Sequence, residues 1–97
     1  MKIDWQKQAE AEFEAAFDYY LANAGAEVAR AFRNEVGRVT GRLRQHPGIG
    51  IRIHHRCRRF PLHGYPYNLI YRLTPETLIV VALAHQRRRP GYWAGRR

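Results

Sequence analysis

Serine is absent from this chain of 97 residues, which removes the Ser-His-Asp hydrolases at once. Cysteine occurs once, at Cys57, so no disulfide can form within the chain. The start, Met1-Lys2-Ile3-Asp4, lacks the charged and apolar regions of a secretory leader; with the single thiol this predicts a reducing, cytoplasmic setting. The longest unbroken apolar run, Leu78 to Ala84, is too short to cross a membrane. No glycine-rich phosphate loop and no paired Cys or His ligands at zinc spacing occur, so neither metal nor cofactor is expected.

Lysine is nearly missing as well, and where it is missing is informative. Residues 1 to 27 carry Lys2 and Lys7 against Asp4, Glu10, Glu12, Glu14, Asp18 and Glu27. Everything after holds fifteen arginines, no lysine, and only Glu35 and Glu76. The formal net charge of +9 therefore sits on the later part of the chain, and such a field calls for an anionic partner, nucleic acid or acidic protein. Guanidinium grips phosphate and carboxylate bidentately, which lysine does not. Compositional drift toward arginine in GC-rich coding sequence gives the same pattern.

The apolar fraction is sufficient for one core, and the length suits a single domain over residues 1–97. Lys2 to Trp5 is a short strand by its alternation. Ala9, Phe13, Ala16, Phe17 and Tyr20 then recur at helical spacing. Glu10, Glu14 and Asp18 run along one flank of that stripe, a solvated face or a complement to the arginines. Gly25 suits the left-handed end of the helix. A second stripe runs through Val28, Phe32, Val36, Val39 and Leu43, and His46-Pro47-Gly48 stops it. Two such helices on a short connection predict an antiparallel hairpin.

From Ile51 the period changes to two. Ile53, His55, Cys57 and Arg59 alternate with His54, Arg56, Arg58 and Phe60, predicting one strand, polar on both faces and hence at a sheet edge. Tyr67 to Leu73 forms the next strand. Leu78 to Ala84, apolar throughout, reads as a central one. The predicted fold is α+β in the order β-α-α-β-β-β, an antiparallel sheet packed on one face by the helical hairpin. The opposite face then carries Arg, Tyr and His groups that no helix covers, and a partner is expected there.

The candidate contact residues are Arg56, Arg58, Arg59 and Arg72 from the strands, with His85, Arg87, Arg88, Arg89, Tyr92 and Trp93 after the central strand. Arginine with aromatics suits single-stranded RNA, and suits an acidic protein segment equally. Metal-free RNA cleavage needs an acid, a base and a cation, roles open to His85, Tyr92 and Arg87. Arg56, Arg58 and Arg59 around Cys57 would lower its pKa, but without a committed imidazole partner it reads as a small strand side chain. His55 and Cys57 share a strand face.

Several segments in this order resemble the RelE/ParE superfamily of toxins from bacterial type II toxin-antitoxin modules, also described as plasmid stabilisation proteins. They are the first strand ending in Trp5, the helical hairpin, Arg59-Phe60-Pro61, Tyr67-Asn68-Leu69-Ile70-Tyr71-Arg72, and His85-Gln86-Arg87-Arg88-Arg89-Pro90-Gly91-Tyr92-Trp93. The last two look particularly like ParE-type members. The resemblance implies a cytoplasmic toxin neutralised by a cognate antitoxin of acidic character, and DNA gyrase as its target. RelE-like members, the alternative, are ribosome-dependent endoribonucleases that cut mRNA in the A site with basic residues and a late tyrosine. Asn68 stands where many of those carry an arginine, and the lysines they place on the second helix and strand are missing. Arg87, with Tyr92 or Trp93, could still occupy the late arginine and tyrosine positions. A homologue that retains antitoxin binding alone is the third alternative.

Overall fold

A computed structural model describes residues 1–96. Its elements are β1 (Lys2–Trp5), α1 (Lys7–Ala24), α2 (Ala26–Gln45), a single 3-10 turn (Pro47–Ile49), β2 (Ile51–Arg52), β3 (Cys57–Pro61), β4 (Tyr67–Leu73) and β5 (Thr77–His85). They form one five-stranded sheet in the order β1-β5-β4-β3-β2. Neighbours pair antiparallel except β1, which runs parallel to β5, with Ile3 opposite Leu78 and Trp5 opposite Val80. The helical hairpin lies on one face, as the α+β pattern predicts.

Both helical stripes face inward. Ala9 and Ala16 of α1 and Phe32, Val36, Val39 and Leu43 of α2 are buried, with Phe13, Phe17 and Tyr20 packed beside them. Phe32 is the hub: it stacks on Phe13 at 5.7 Å between ring centroids and meets Tyr20 and Tyr65 edge or tilted at 5.1 and 5.2 Å. Glu10, Glu14 and Asp18 lie exposed, so that flank is the solvated one.

Gly25 alone connects the helices. Its N–H donates to Tyr20 O at 3.0 Å, closing α1, and its carbonyl accepts the first bond of α2 from Ala29 at 3.1 Å. The backbone there has φ 98° and ψ 169°, a region that only glycine occupies without strain. No atom lies near enough to obstruct a β-carbon, so the penalty of a side chain is purely conformational. Gly25→Ala is expected to cost about 1–3 kcal/mol, read as a lower denaturation midpoint with an unchanged m-value. An unchanged midpoint would mean that the connection relaxes freely.

The stretch expected as one strand from Ile51 is a hairpin. β2 and β3 pair with each other, Ile51 opposite Arg59 and Arg52 opposite Arg58. His55 and Arg56 form the turn between them, both at positive φ (59° and 60°), and Cys57 N–H bonds His54 O across it. Two successive residues at positive φ are the mark of a type I′ hairpin turn. β2 therefore holds the edge and β3 lies inside. His55 and Cys57 consequently share no strand face.

Behind β2, Tyr71 fixes the end of α2. Its buried ring lies on the helix face, and its hydroxyl donates to Pro47 O at 2.6 Å and accepts from Gly50 N–H at 2.9 Å. A β-carbon on Gly50 would sit 2.5 Å from that hydroxyl oxygen, which is why glycine occupies the position.

Candidate partner-binding surface

The far face of the sheet is partly covered, by the chain's own C-terminal segment rather than by a helix. After His85 the strand ends in a tight turn: Arg88 N–H bonds His85 O at 3.0 Å, and Arg87 N–H donates to His85 Nδ1 at 3.0 Å. Arg87, Arg88 and Arg89 project from this turn, exposed. Gly91, at φ 76°, reverses the chain, and successive turns carry Tyr92 to Arg96 back over the sheet.

Trp93 is buried there at 4 % exposure, packed with Cys57, Ile70, Val81, Ala82 and Ala84 in a second apolar cluster. The small side chains of Ala82 and Ala84 make room for the indole. His54 from the hairpin turn stacks on its outer side, centroids 5.5 Å apart and planes 10° from parallel. Trp93 is thus part of the core and not the rim of an open surface.

Tyr92 points the other way, to α1. Its hydroxyl donates to Glu12 Oε2 at 2.5 Å, and two guanidiniums lie over its ring, Arg88 at 3.9 Å and Arg96 at 5.2 Å from the centroid. Glu12 also accepts from both terminal nitrogens of Arg96, at 2.9 and 3.0 Å, and from Leu83 N–H at 3.1 Å. Arg96 in turn donates to Val81 O at 3.0 Å. The parallel pairing with β1 ends at Val80, and the β4–β5 register shifts beside Val81. The Glu12–Arg96 pair therefore completes the β5 edge where β1 has stopped.

Glu12 is the residue that sequence reasoning missed. A signal for it existed: it falls three residues after Ala9 and four before Ala16, on the buried row rather than the acidic flank.

The strand arginines are dispersed. Arg59 and Arg72 stand on the far face, opposite Ile70 and Cys57 in the register. Arg56 is in the hairpin turn. Arg58, on the helix face, donates through Nη1 to Gly48 O and Gly50 O, both at 2.9 Å. A cleft of about 160 Å³ brings together Arg59, Asn68, His85, Arg88, Arg89 and Tyr92, with Trp93 in its wall. Arg87 does not line it, and Arg56, Arg58 and Arg72 lie outside it. Of the three groups considered for RNA cleavage, only His85 and Tyr92 border this space.

Their chemistry there is constrained. Burial first, and then the hydrogen bond to Glu12, hold the Tyr92 phenol well above its ordinary pKa. Tyr20, Tyr67 and Tyr71 are also raised, each chiefly by burial. A folded-state pKa above the unfolded value of 10.0 means stability that is complete below pH 10 and is lost as pH rises beyond it. The fold is therefore expected to weaken above about pH 10, with these phenols ionising later than free tyrosine in ultraviolet difference spectra. Tyr92→Phe should remove one late-ionising phenol; four early, independent ionisations would contradict the packing described. For Cys57 the expectation of a lowered pKa is corrected: burial pushes the thiol up and outweighs the opposing pull of Arg72.

Among the described residues, no three His, Cys, Asp or Glu side chains group as metal ligands, and no helix is long and apolar enough to cross a membrane. Ion pairs join Lys2 to Asp4, Arg38 to Glu35 and Arg96 to Glu12. The arginines of the hairpin, the far face and the turn at residues 87–89 have no carboxylate partner among the described residues.

Comparison with known proteins agrees with this fold. A chain from a solved structure described as the chromosomal ParDE TA system from P. aeruginosa superposes with a TM-score of 0.78 at 20% sequence identity, covering 88% of this chain and 95% of that one. At that identity the likeness bears on the fold alone. No curated protein sequence matches. The family model described as the ParE toxin of type II toxin-antitoxin system, parDE, matches residues 3–90, nearly the whole sheet and hairpin. The chain belongs to the ParE toxin family of type II toxin-antitoxin systems.

Proposed function

We propose that this chain is a gyrase-directed toxin, held inactive in the cytoplasm by a cognate antitoxin of acidic character. The observation that carries the reading is the state of Tyr92. Its hydroxyl is donated to Glu12 and its ring lies under the guanidiniums of Arg88 and Arg96, so it is committed to the fold and is not poised to exchange a proton with RNA. A nuclease needs a positioned acid and base within reach of the scissile phosphate. Asn68, at the cleft where nucleolytic relatives carry an arginine, supports the same view. What remains is a set of guanidiniums without carboxylate partners, suited to binding. The acidic antitoxin follows from charge: an anionic segment laid over Arg59, Arg88 and Arg89 supplies the missing carboxylates.

The test uses purified gyrase and a translation extract in parallel. Supercoiling of relaxed plasmid should fall with added protein and recover with antitoxin, while ribosomal A-site cleavage stays at background. Unchanged supercoiling with A-site cleavage would replace this reading by the endoribonuclease. Neither activity, with antitoxin binding retained, would leave an inactive homologue.

A further inference from the structure

A second basic site lies at the hairpin end of the sheet, next to the cleft bordered by His85 and Arg88, with which it shares Ile53. A concavity of about 550 Å³ is lined by Arg52, Ile53, Arg56, Cys57, Arg58 and Leu73. Three of these six residues are arginines and none is acidic. We infer that Arg52, Arg56 and Arg58 form a phosphate-binding site that engages the backbone of a nucleic acid.

The first support is that the arrangement is costly without a ligand. Arg52 and Arg58 stand directly opposite each other in the β2–β3 register. Like charges so placed repel; Arg58 is partly compensated by the carbonyls of Gly48 and Gly50, but no carboxylate among the described residues neutralises either guanidinium. The turn that sets Arg56 at the same concavity holds His55 and Arg56 at positive φ, where neither the asparagine nor the glycine usual in such turns is present. Like charge and positive-φ backbone thus fall together on one hollow, and a bound anion would offset the repulsion.

The second support is preorganisation. The two carbonyls that accept from Arg58, Gly48 O and Gly50 O, belong to a segment itself fixed by the Tyr71 hydroxyl. Arg58 is therefore held before any ligand arrives, while Arg52 and Arg56 are exposed beside it. Charge density decides the class of ligand. Three guanidiniums around one hollow present more donors than a single carboxylate can accept, whereas a nucleic-acid backbone supplies closely repeating phosphates. None of its three arginines belongs to the set assigned to the antitoxin, Arg59, Arg88 and Arg89, and the site does not depend on the identity of the toxin's target.

The experiment measures binding of a fluorescently labelled short DNA duplex by anisotropy across a salt series. It compares the full chain with Arg52→Gln/Arg56→Gln and with a control, Arg30→Gln/Arg42→Gln, which removes the same charge from the exposed side of α2. The hairpin pair should weaken binding by roughly tenfold per guanidinium and flatten the logarithmic salt slope by about 2. The control should lose far less. Equal losses in the two variants would reduce the effect to net charge and overturn the site. An unchanged affinity in the hairpin variant would also overturn it. Loss of binding to polyglutamate with DNA binding intact would assign the hollow to an acidic protein instead. Thermal melts of all three proteins check that the substitutions, at exposed positions, leave the fold intact.

Discussion

Replacing Trp93 by alanine is expected to remove about 3–5 kcal/mol of stability, the range for deleting a buried tryptophan. A domain of this size holds only about 5–15 kcal/mol in total, so the melting temperature should fall by on the order of 20 °C. The cause is local. The far side of β4 and β5 presents Ile70, Val81, Ala82 and Ala84, and the indole is the large side chain that fills the recess above the two alanines. Without it the recess opens to water, and His54 loses the ring on which it stacks. Trp93→Phe should recover part of the loss, since a smaller ring still covers the alanines. Circular dichroism melts of the three proteins check this. If residues 86–96 were instead a solvated basic tail, Trp93→Ala would shift stability by no more than about 0.5 kcal/mol, the scale of ordinary surface changes.

That contrast shows where the sequence is transparent and where it is not. The helices were legible because burial on one side leaves a periodic record: Phe32, Val36, Val39 and Leu43 recur along α2 and all four are buried. β4 and β5 were legible as apolar runs between turns. The hairpin at His54 to Arg56 was not, because a type I′ turn is recognised by glycine or asparagine and this one has neither; period-two alternation ran through the turn unbroken. The parallel pairing of β1 with β5 joins residues seventy-five positions apart, such as Ile3 and Leu78, and no local pattern records it. The candidate site was legible as a list but not as a surface. The arginines after β5 do project from the fold, whereas Tyr92 and Trp93 beside them turn inward. Side-chain type alone cannot distinguish an aromatic that anchors a partner from one that anchors the chain itself.

Glu12 gives the second large effect, because one carboxylate satisfies three donors from distant parts of the chain: the Arg96 guanidinium, the Tyr92 hydroxyl and the Leu83 amide. Removing it strands all three. Breaking a fully buried ion pair from one side costs about 3–5 kcal/mol. The Glu12 and Arg96 side chains keep 17% and 16% of their exposure, so water relieves part of that penalty. Glu12→Ala is therefore expected to cost about 2–3 kcal/mol, the lower end of the range and beyond. Glu14→Ala, two residues on and on the solvated flank, should stay within about 0.5 kcal/mol. A double-mutant cycle with Arg96→Met should return a coupling of about 1–3 kcal/mol, which additive losses would refute. Hydrogen exchange separates this account from a general loosening. The Leu83 amide lies beyond the reach of β1 and is protected by Glu12 alone, so it should exchange much faster in Glu12→Ala. The amides of β5 that pair with β1 and β4 should slow or quicken only with global stability. Equal acceleration at every β5 amide would mean that Glu12 stabilises the whole domain without closing this edge.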